Sequence, residues 1–221
     1  MSPRIRQHVN PLDSKFQQPL NLPDWQEIYA DCDRPWHLDI GCARGRFLLS
    51  MAQHNPKVNY LGIEIRKQLA ELANQDRDQL GMTNLHYLFG NINSSAVVLL
   101  ESLPQNSLQT ISVQFPDPWF KKKHHKRRVI QPDLVNILVN YLKFGGEIFL
   151  QSDIEEIVVE MCDRFVAHSG LTQQHATTWL DTNPFPVPTE RELHVLGQDL
   201  PVFRVLFKNC LLYTSPSPRD S

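Results

Sequence analysis

W-H-L-D-I-G-C-A-R-G-R, residues 36 to 46, passes from a five-residue run that reads as a strand into a turn with glycine at 41 and 45. A helical periodicity over 45 to 54 follows it. Strand, tight turn and helix in that order open a βαβ unit, and the same alternation continues along the chain. V-N-Y-L-G-I (58 to 63), L-H-Y-L-F (85 to 89), T-I-S-V-Q-F (110 to 115) and G-E-I-F-L-Q (146 to 151) read as the second to fifth strands. Between and after them, 66 to 80, 94 to 101, 133 to 142 and 154 to 168 carry 3.6-residue periodicity. L-T-Q-Q-H-A-T-T-W (171 to 179) and V-F-R-V-L-F-K (202 to 208) supply two more strands, separated by the proline-rich loop N-P-F-P-V-P-T-E-R-E. The predicted fold is α/β: a doubly wound, mostly parallel, seven-stranded sheet with helices on both faces.

Residues 1 to 23, with prolines at 3, 11, 19 and 23, read as an extended N-terminal arm ahead of a short helix near Asp24. Residues 24 to 209 read as a single domain, and C-L-L-Y-T-S-P-S-P-R-D-S (210 to 221) as a non-native or disordered tail left out of the fold. Of the 221 residues 41% are hydrophobic, enough for a sizeable core. No apolar run approaches the roughly 20 residues that span a bilayer. The first eight residues lack the apolar core of a secretory signal, so a cytoplasmic protein with no membrane contact is expected. Cys32, Cys42, Cys162 and Cys210 show no paired spacing, and no metal site is predicted. The net charge is -2, yet residues 121 to 128 contribute +6 and leave -8 on the remainder. One basic patch on an acidic body suits a polyanion, although such a run is often only a solvated face.

In an open α/β sheet the ligand lies across the carboxyl ends of the strands. Gly41 and Gly45 permit a tight turn whose following helix presents free N–H groups to an anion. A dinucleotide fingerprint wants glycine at 41, 43 and 46, and here 43 is Ala and 46 is Arg. A ligand ending in a carboxylate, such as S-adenosylmethionine, demands less of that third glycine than a pyrophosphate does. Glu64 closes the second strand 23 positions beyond Gly41, where a carboxylate can grip a ribose diol. Asn91, after the third strand, offers an amide to an adenine edge or simply a turn beside Gly90. After the fourth strand comes Q-F-P-D-P-W-F-K-K-K-H-H-K-R-R (114 to 128), which fixes Asp117 between two prolines at the head of the basic run. Trp119 and Phe120 could stack on a base or fill the core. A nicotinamide-dependent oxidoreductase and a non-catalytic RNA-binding module remain as alternatives, separable by cofactor titration and by Asp117→Ala.

L-D-I-G-C-A-R-G-R-F, L-G-I-E-I-R, F-G-N-I, Q-F-P-D-P-W-F-K-K-K-H-H-K-R-R, L-Q-S-D and T-E-R-E together resemble, in that order, the bacterial tRNA (guanine-N7-)-methyltransferases, from about residue 4 to 208. The P-D-P-W string is far more specific than any glycine turn. The resemblance implies a class I methyltransferase (Rossmann-like) fold. It implies S-adenosylmethionine as methyl donor and N7 of guanine 46 in the tRNA variable loop as acceptor. By position Asp39, Gly41, Glu64, Asn91 and Asp117 would contact the cofactor, with Asp117 catalytic. Lys121, Asp153, Thr189, Glu190, Arg191 and Glu192 would contact substrate, and Lys123, His124, His125, Lys126, Arg127 and Arg128 the RNA. The oligomeric state, monomer or homodimer, is left open. The chemistry agrees, because guanine N7 carries an in-plane lone pair and no proton. Such a nucleophile needs alignment and charge stabilisation rather than a deprotonating base.

Overall fold

The computed structural model describes residues 9–210. The start of the arm and, beyond Cys210, the Ser/Pro-rich tail lie outside the described residues. Seven strands, β1 (Trp36–Ile40), β2 (Asn59–Glu64), β3 (Leu85–Phe89), β4 (Leu108–Gln114), β5 (Glu147–Ser152), β6 (Leu171–Gln173) and β7 (Phe203–Asn209), form one sheet in the order β3-β2-β1-β4-β5-β7-β6. The neighbours among the first five strands run parallel, and β7 is antiparallel to both β5 and β6. Strand order reverses between β1 and β4, so the crevice at their carboxyl ends is the expected ligand site.

Among the described residues seven α-helices flank the sheet: α1 (Trp25–Ile28), α2 (Arg46–His54), α3 (Lys67–Gln79), α4 (Ile92–Glu101), α5 (Pro132–Tyr141), α6 (Glu155–Val166) and α7 (Glu190–Leu196). The period-two alternation of the strands divides the core. Leu38, Ile40, Leu61, Ile63, Ile111 and Val113 meet Leu99 of α4, Leu138 of α5 and Phe165 of α6. On the other face Tyr60, Leu85 and Tyr87 meet Phe47, Leu48 and Met51 of α2 and Ala73 of α3. The helices bury apolar residues at helical spacing, as in Ile157, Val158, Met161 and Phe165 of α6. Burying each such side chain contributes about 1.5–3 kcal/mol.

Two elements differ from the sequence reading. β6 stops at Gln173 instead of running to Trp179, because the Leu206 N–H meets the ring Nε2 of His175 (3.4 Å) instead of a strand carbonyl. T-E-R-E, expected within a loop, begins α7: the Thr189 hydroxyl accepts the Glu192 N–H at 3.0 Å and caps the first turn. The arm lies along the carboxyl edge of the sheet. Phe16 is buried edge-on to Phe89, Leu20 covers Gly90, and the Pro11 carbonyl accepts from the Asn91 side-chain amide at 3.1 Å.

Candidate active site

A cavity of about 220 Å³ opens where β1, β2, β3 and β4 end. Ile40 and Gly41, Ile63 and Glu64, Gly90 and Asn91, then Phe115 to Asp117 supply its floor and sides, while Val9, Pro11, Leu12 and Gln17 of the arm close one wall. Lys126, Arg127 and Arg128 line it from the basic segment. Gly41 has φ +80°, a conformation that costs glycine little, and a side chain there would point into open space. Gly45, at φ +75°, does different work: a Cβ would lie 2.4 Å from the Tyr87 ring, so this glycine lets the turn close on β3.

Glu64 is 2% exposed, and its carboxylate is fully engaged. Oε1 accepts from the Arg66 backbone N–H (2.9 Å) and Nε (2.8 Å), and Oε2 from the Ala43 N–H (2.9 Å) and Arg66 Nη2 (3.0 Å). Burial alone would lower the pKa of Arg66, but the hydrogen bonds and charge of Glu64, together with the charge of Asp117, raise it overall. Arg66 thus pairs with Glu64 and feels the charge of Asp117, the other carboxylate lining the cavity. Its fork gives Glu64 two side-chain donors, the bidentate arrangement a carboxylate accepts best. Asn91 caps α4 through Oδ1 (3.1 Å to the Asn93 N–H) while its amide nitrogen holds the arm.

Asp39 is held beneath the end of β1. It is 4% exposed, next to last in β1 on the sheet face of α2, and close enough to Glu64 to feel its charge. Its Oδ1 accepts from the Ser112 hydroxyl (2.6 Å) and, at longer range, the Gln114 amide (3.4 Å), and Ser112 also meets His37 Nε2 at 2.8 Å. Burial raises the pKa of Asp39 to about 6 and lowers that of His37 to about 3.

Asp117 occupies a strained loop. Phe115 and Trp119 have φ of +49° and +42°, unusual for residues with a β-carbon. Such conformations cost of order 1–3 kcal/mol each and persist only where surroundings enforce them. The Phe115 N–H donates to the Gln151 carbonyl (2.8 Å), and the Pro118 carbonyl accepts from Arg128 Nε (2.8 Å). Arg127 lies 4.9 Å over the Trp119 ring, which the His124 ring meets edge-on. Phe120 is exposed. Lys122–Arg127 form a 3-10 segment that leaves Lys121, Lys122, Lys123 and Lys126 exposed, with His124, His125 and Arg127 half-buried.

Arg128 differs from the lysines around it. Its side chain is 5% exposed and turned inward to Glu156 (3.0 Å) and Glu160 of α6. Glu192, at 1% exposed, pairs with Arg204 (2.7 Å) and accepts from Asn183 (2.7 Å) and Gln151 (3.2 Å). Gln151 in turn donates to Gln114 at 2.7 Å, so a buried polar layer runs from Asp39 to α7. Thr189 is spent on its cap, Glu190 pairs with Arg46, and Asp153 pairs with Arg191 (2.5 Å) at the end of β5. Arg66, Gln151 and Arg204 were not singled out from sequence. Arg66 and Gln151 lie inside the quoted stretches L-G-I-E-I-R and L-Q-S-D, and Arg204 inside the last strand run.

Among the described residues no cluster of His, Cys, Asp and Glu could hold a metal ion, and no helix is long and apolar enough to cross a membrane. The family model Methyltransf_4, described as "Putative methyltransferase", matches residues 33–205. A tRNA (guanine-N(7)-)-methyltransferase from Microcystis aeruginosa is 55% identical over 205 residues, covering 93% of this chain and 97% of its own. The protein of that name from Synechococcus elongatus is 56% identical over 204 residues, covering 92% and 95%. In three dimensions an rRNA methylase from Streptococcus thermophilus superposes with a TM-score of 0.52 at 12% identity, over 85% of this chain and 92% of its own. The aminoglycoside resistance methyltransferase NpmB1 gives 0.50 at 14%, over 84% and 90%. These solved structures share the class I methyltransferase sheet, and the relatives share most of the sequence upon it. The chain belongs to the tRNA (guanine-N(7)-)-methyltransferase family.

Proposed function

We propose that this chain methylates N7 of guanine 46 in the variable loop of tRNA, using S-adenosylmethionine, from a domain of residues 24–209 working in the cytoplasm. The observation that carries the reading is one cavity bounded by Glu64 on the β2 side and Asp117 on the β4 side, opening beside exposed lysines. When bound, the cofactor supplies an electrophilic methyl group on a sulfonium, whose positive charge passes to the purine as the N–C bond forms and the C–S bond breaks.

The chain's own residues do the rest. Glu64 receives the ribose hydroxyls after Arg66 withdraws, and the Gly41 turn leaves room for the amino-acid end. Asp117, fixed by its prolines, accepts from guanine N–H groups and stabilises the charge arriving on the ring. Its nearness to Arg66 means that release of Glu64 by Arg66 also alters the charge facing Asp117. Lys121, Lys122, Lys123 and Lys126 attract the phosphate backbone without reading sequence. Asp153 and Arg191 offer polar groups at the end of β5. The test is incubation with unmodified bulk tRNA and labelled S-adenosylmethionine, followed by nucleoside digestion. Label in 7-methylguanosine supports the proposal; label confined to another nucleoside, or none, refutes it.

A further inference from the structure

We propose that Arg128 is a positioning residue that sets Asp117 for methyl transfer, and not a phosphate contact. The inference rests on the function proposed above. Three guanidinium nitrogens are taken up by groups of the protein itself. Nε donates to the Pro118 carbonyl at 2.8 Å, Nη2 to Glu156 at 3.0 Å, and Nη1 to Glu160. A side chain 5% exposed has almost no surface to offer RNA, whereas its neighbours Lys121, Lys122, Lys123 and Lys126 are open to solvent.

The other end of this clamp is α6. Glu160 bridges Arg128 to Arg164, and Arg164 donates to the Ile130 carbonyl. The backbone is therefore held to one helix at Pro118 and Ile130, with Arg128 itself between them. Pro118 adjoins Asp117, and the same loop bends through positive φ at Phe115 and Trp119. A loop with two such residues needs an external hold. The planar fork of Arg128 provides it, bonding a carbonyl and two carboxylates at once, which a lysine ammonium on a flexible stem cannot do with the same geometry. α6 follows directly on β5 and Asp153, so the clamp also ties the Asp117 loop to the end of β5.

The test compares Arg128→Lys with Glu156→Gln/Glu160→Gln in the full chain, with kcat read at saturating tRNA and S-adenosylmethionine. The salt dependence of tRNA binding and the melting temperature are recorded alongside. A misplacement of the order of 1 Å at a reaction centre can cost about a hundredfold, so both variants should lose roughly that much in kcat. The salt slope should be unchanged in Arg128→Lys. The glutamine pair removes negative charge and so cannot weaken attraction for RNA, which means its fall in kcat cannot come from a weaker hold on phosphate. Adding Arg128→Lys to it should cost little more, because the clamp is already open.

Arg128→Lys with kcat intact overturns the inference, whether its salt slope is shallower, as a phosphate contact requires, or only its melting temperature falls, as a purely structural role requires. If Arg128→Lys does not fold, the glutamine pair decides: intact kcat overturns, lowered kcat supports. The wild-type product separates this inference from the reading beneath it. 7-methylguanosine from the wild type together with undiminished variants removes the clamp alone, and no transfer by the wild type removes both.

Discussion

Arg204→Met should destabilise the protein severely. Arg204 and Glu192 face each other at 2.7 Å with side chains 8% and 2% exposed, and the other partners of Glu192 are the neutral amides of Asn183 and Gln151. Removing the guanidinium leaves a carboxylate at 1% exposure with two hydrogen bonds and no counter-charge. Breaking a buried pair from one side costs about 3–5 kcal/mol, a large part of the 5–15 kcal/mol that typically separates folded from unfolded. At roughly 2–4 °C per kcal/mol for a chain of this size, the melting temperature should drop by about 6–20 °C. Glu192→Gln should cost a similar amount by stranding Arg204. The double variant Glu192→Gln/Arg204→Met should recover much of the loss, because no buried charge is left unpaired. Urea titration with unchanged m-values measures each arm. A loss below about 1 kcal/mol in both single variants, the range of exposed pairs, would show that the pair is solvated and that the polar layer from Asp39 to α7 does not hold the end of the sheet. The same preparations test Glu192 directly. Turnover by folded Glu192→Gln well below its melting temperature should stay near wild type, and a large fall in turnover would put the carboxylate on the substrate.

His37 and His86, buried with pKa values lowered to about 3 and about 4, bind protons more readily when unfolded. Their stabilisation is present above about pH 6.5 and is lost as pH falls toward those values, by roughly 2 kcal/mol each between pH 6.5 and 5. Asp39, raised to about 6, acts oppositely, its contribution being present below about pH 4 and lost as pH rises through 6. His37→Phe should therefore flatten the fall of melting temperature with acidification, and an unaltered profile would show that His37 is not buried neutral. Gly45→Ala, which adds a methyl 2.4 Å from the Tyr87 ring at φ +75°, should cost about 2–4 kcal/mol from overpacking and strain together. It should also weaken S-adenosylmethionine binding in calorimetric titration; wild-type stability would show that the turn does not close on Tyr87. Replacing Lys122, Lys123 and Lys126 by Ala should flatten the salt dependence of tRNA binding by up to about 0.7–0.9 for each phosphate no longer neutralised, and an unchanged slope would place the RNA elsewhere.

The parallel strands were legible because each is a short apolar run between helical patterns; β1 and β3 fall where the runs do, and the other three parallel boundaries moved by one or two residues. α7 was hidden by the prolines that precede it, although Thr189 and Glu192 stand at the spacing of a capping box and Val195 supplies the buried face. β6 ended early because the ring of His175 takes a strand hydrogen bond, an event no propensity records. In the site, Glu64 at the end of β2 was legible from its spacing to Gly41 and Asp117 beyond β4 from its flanking prolines, and both line the cavity. The inward turn of Arg128 could not, since its partners Glu156 and Glu160 come from 28 and 32 residues away. Nor could the burial of Glu192, whose cation lies on β7. A charged residue in a basic run or a polar turn reads as solvated until a partner arrives from another element.

The central claim is that Asp117 stands at the reaction centre, and the most direct measurement is single-turnover methyl transfer to a tRNA transcript by wild type and Asp117→Asn, at saturating tRNA and labelled S-adenosylmethionine. The transfer rate should fall at least about a hundredfold, with 7-methylguanosine as the wild-type product and tRNA retention preserved in the variant. A transfer rate within a few-fold of wild type in Asp117→Asn would contradict that claim.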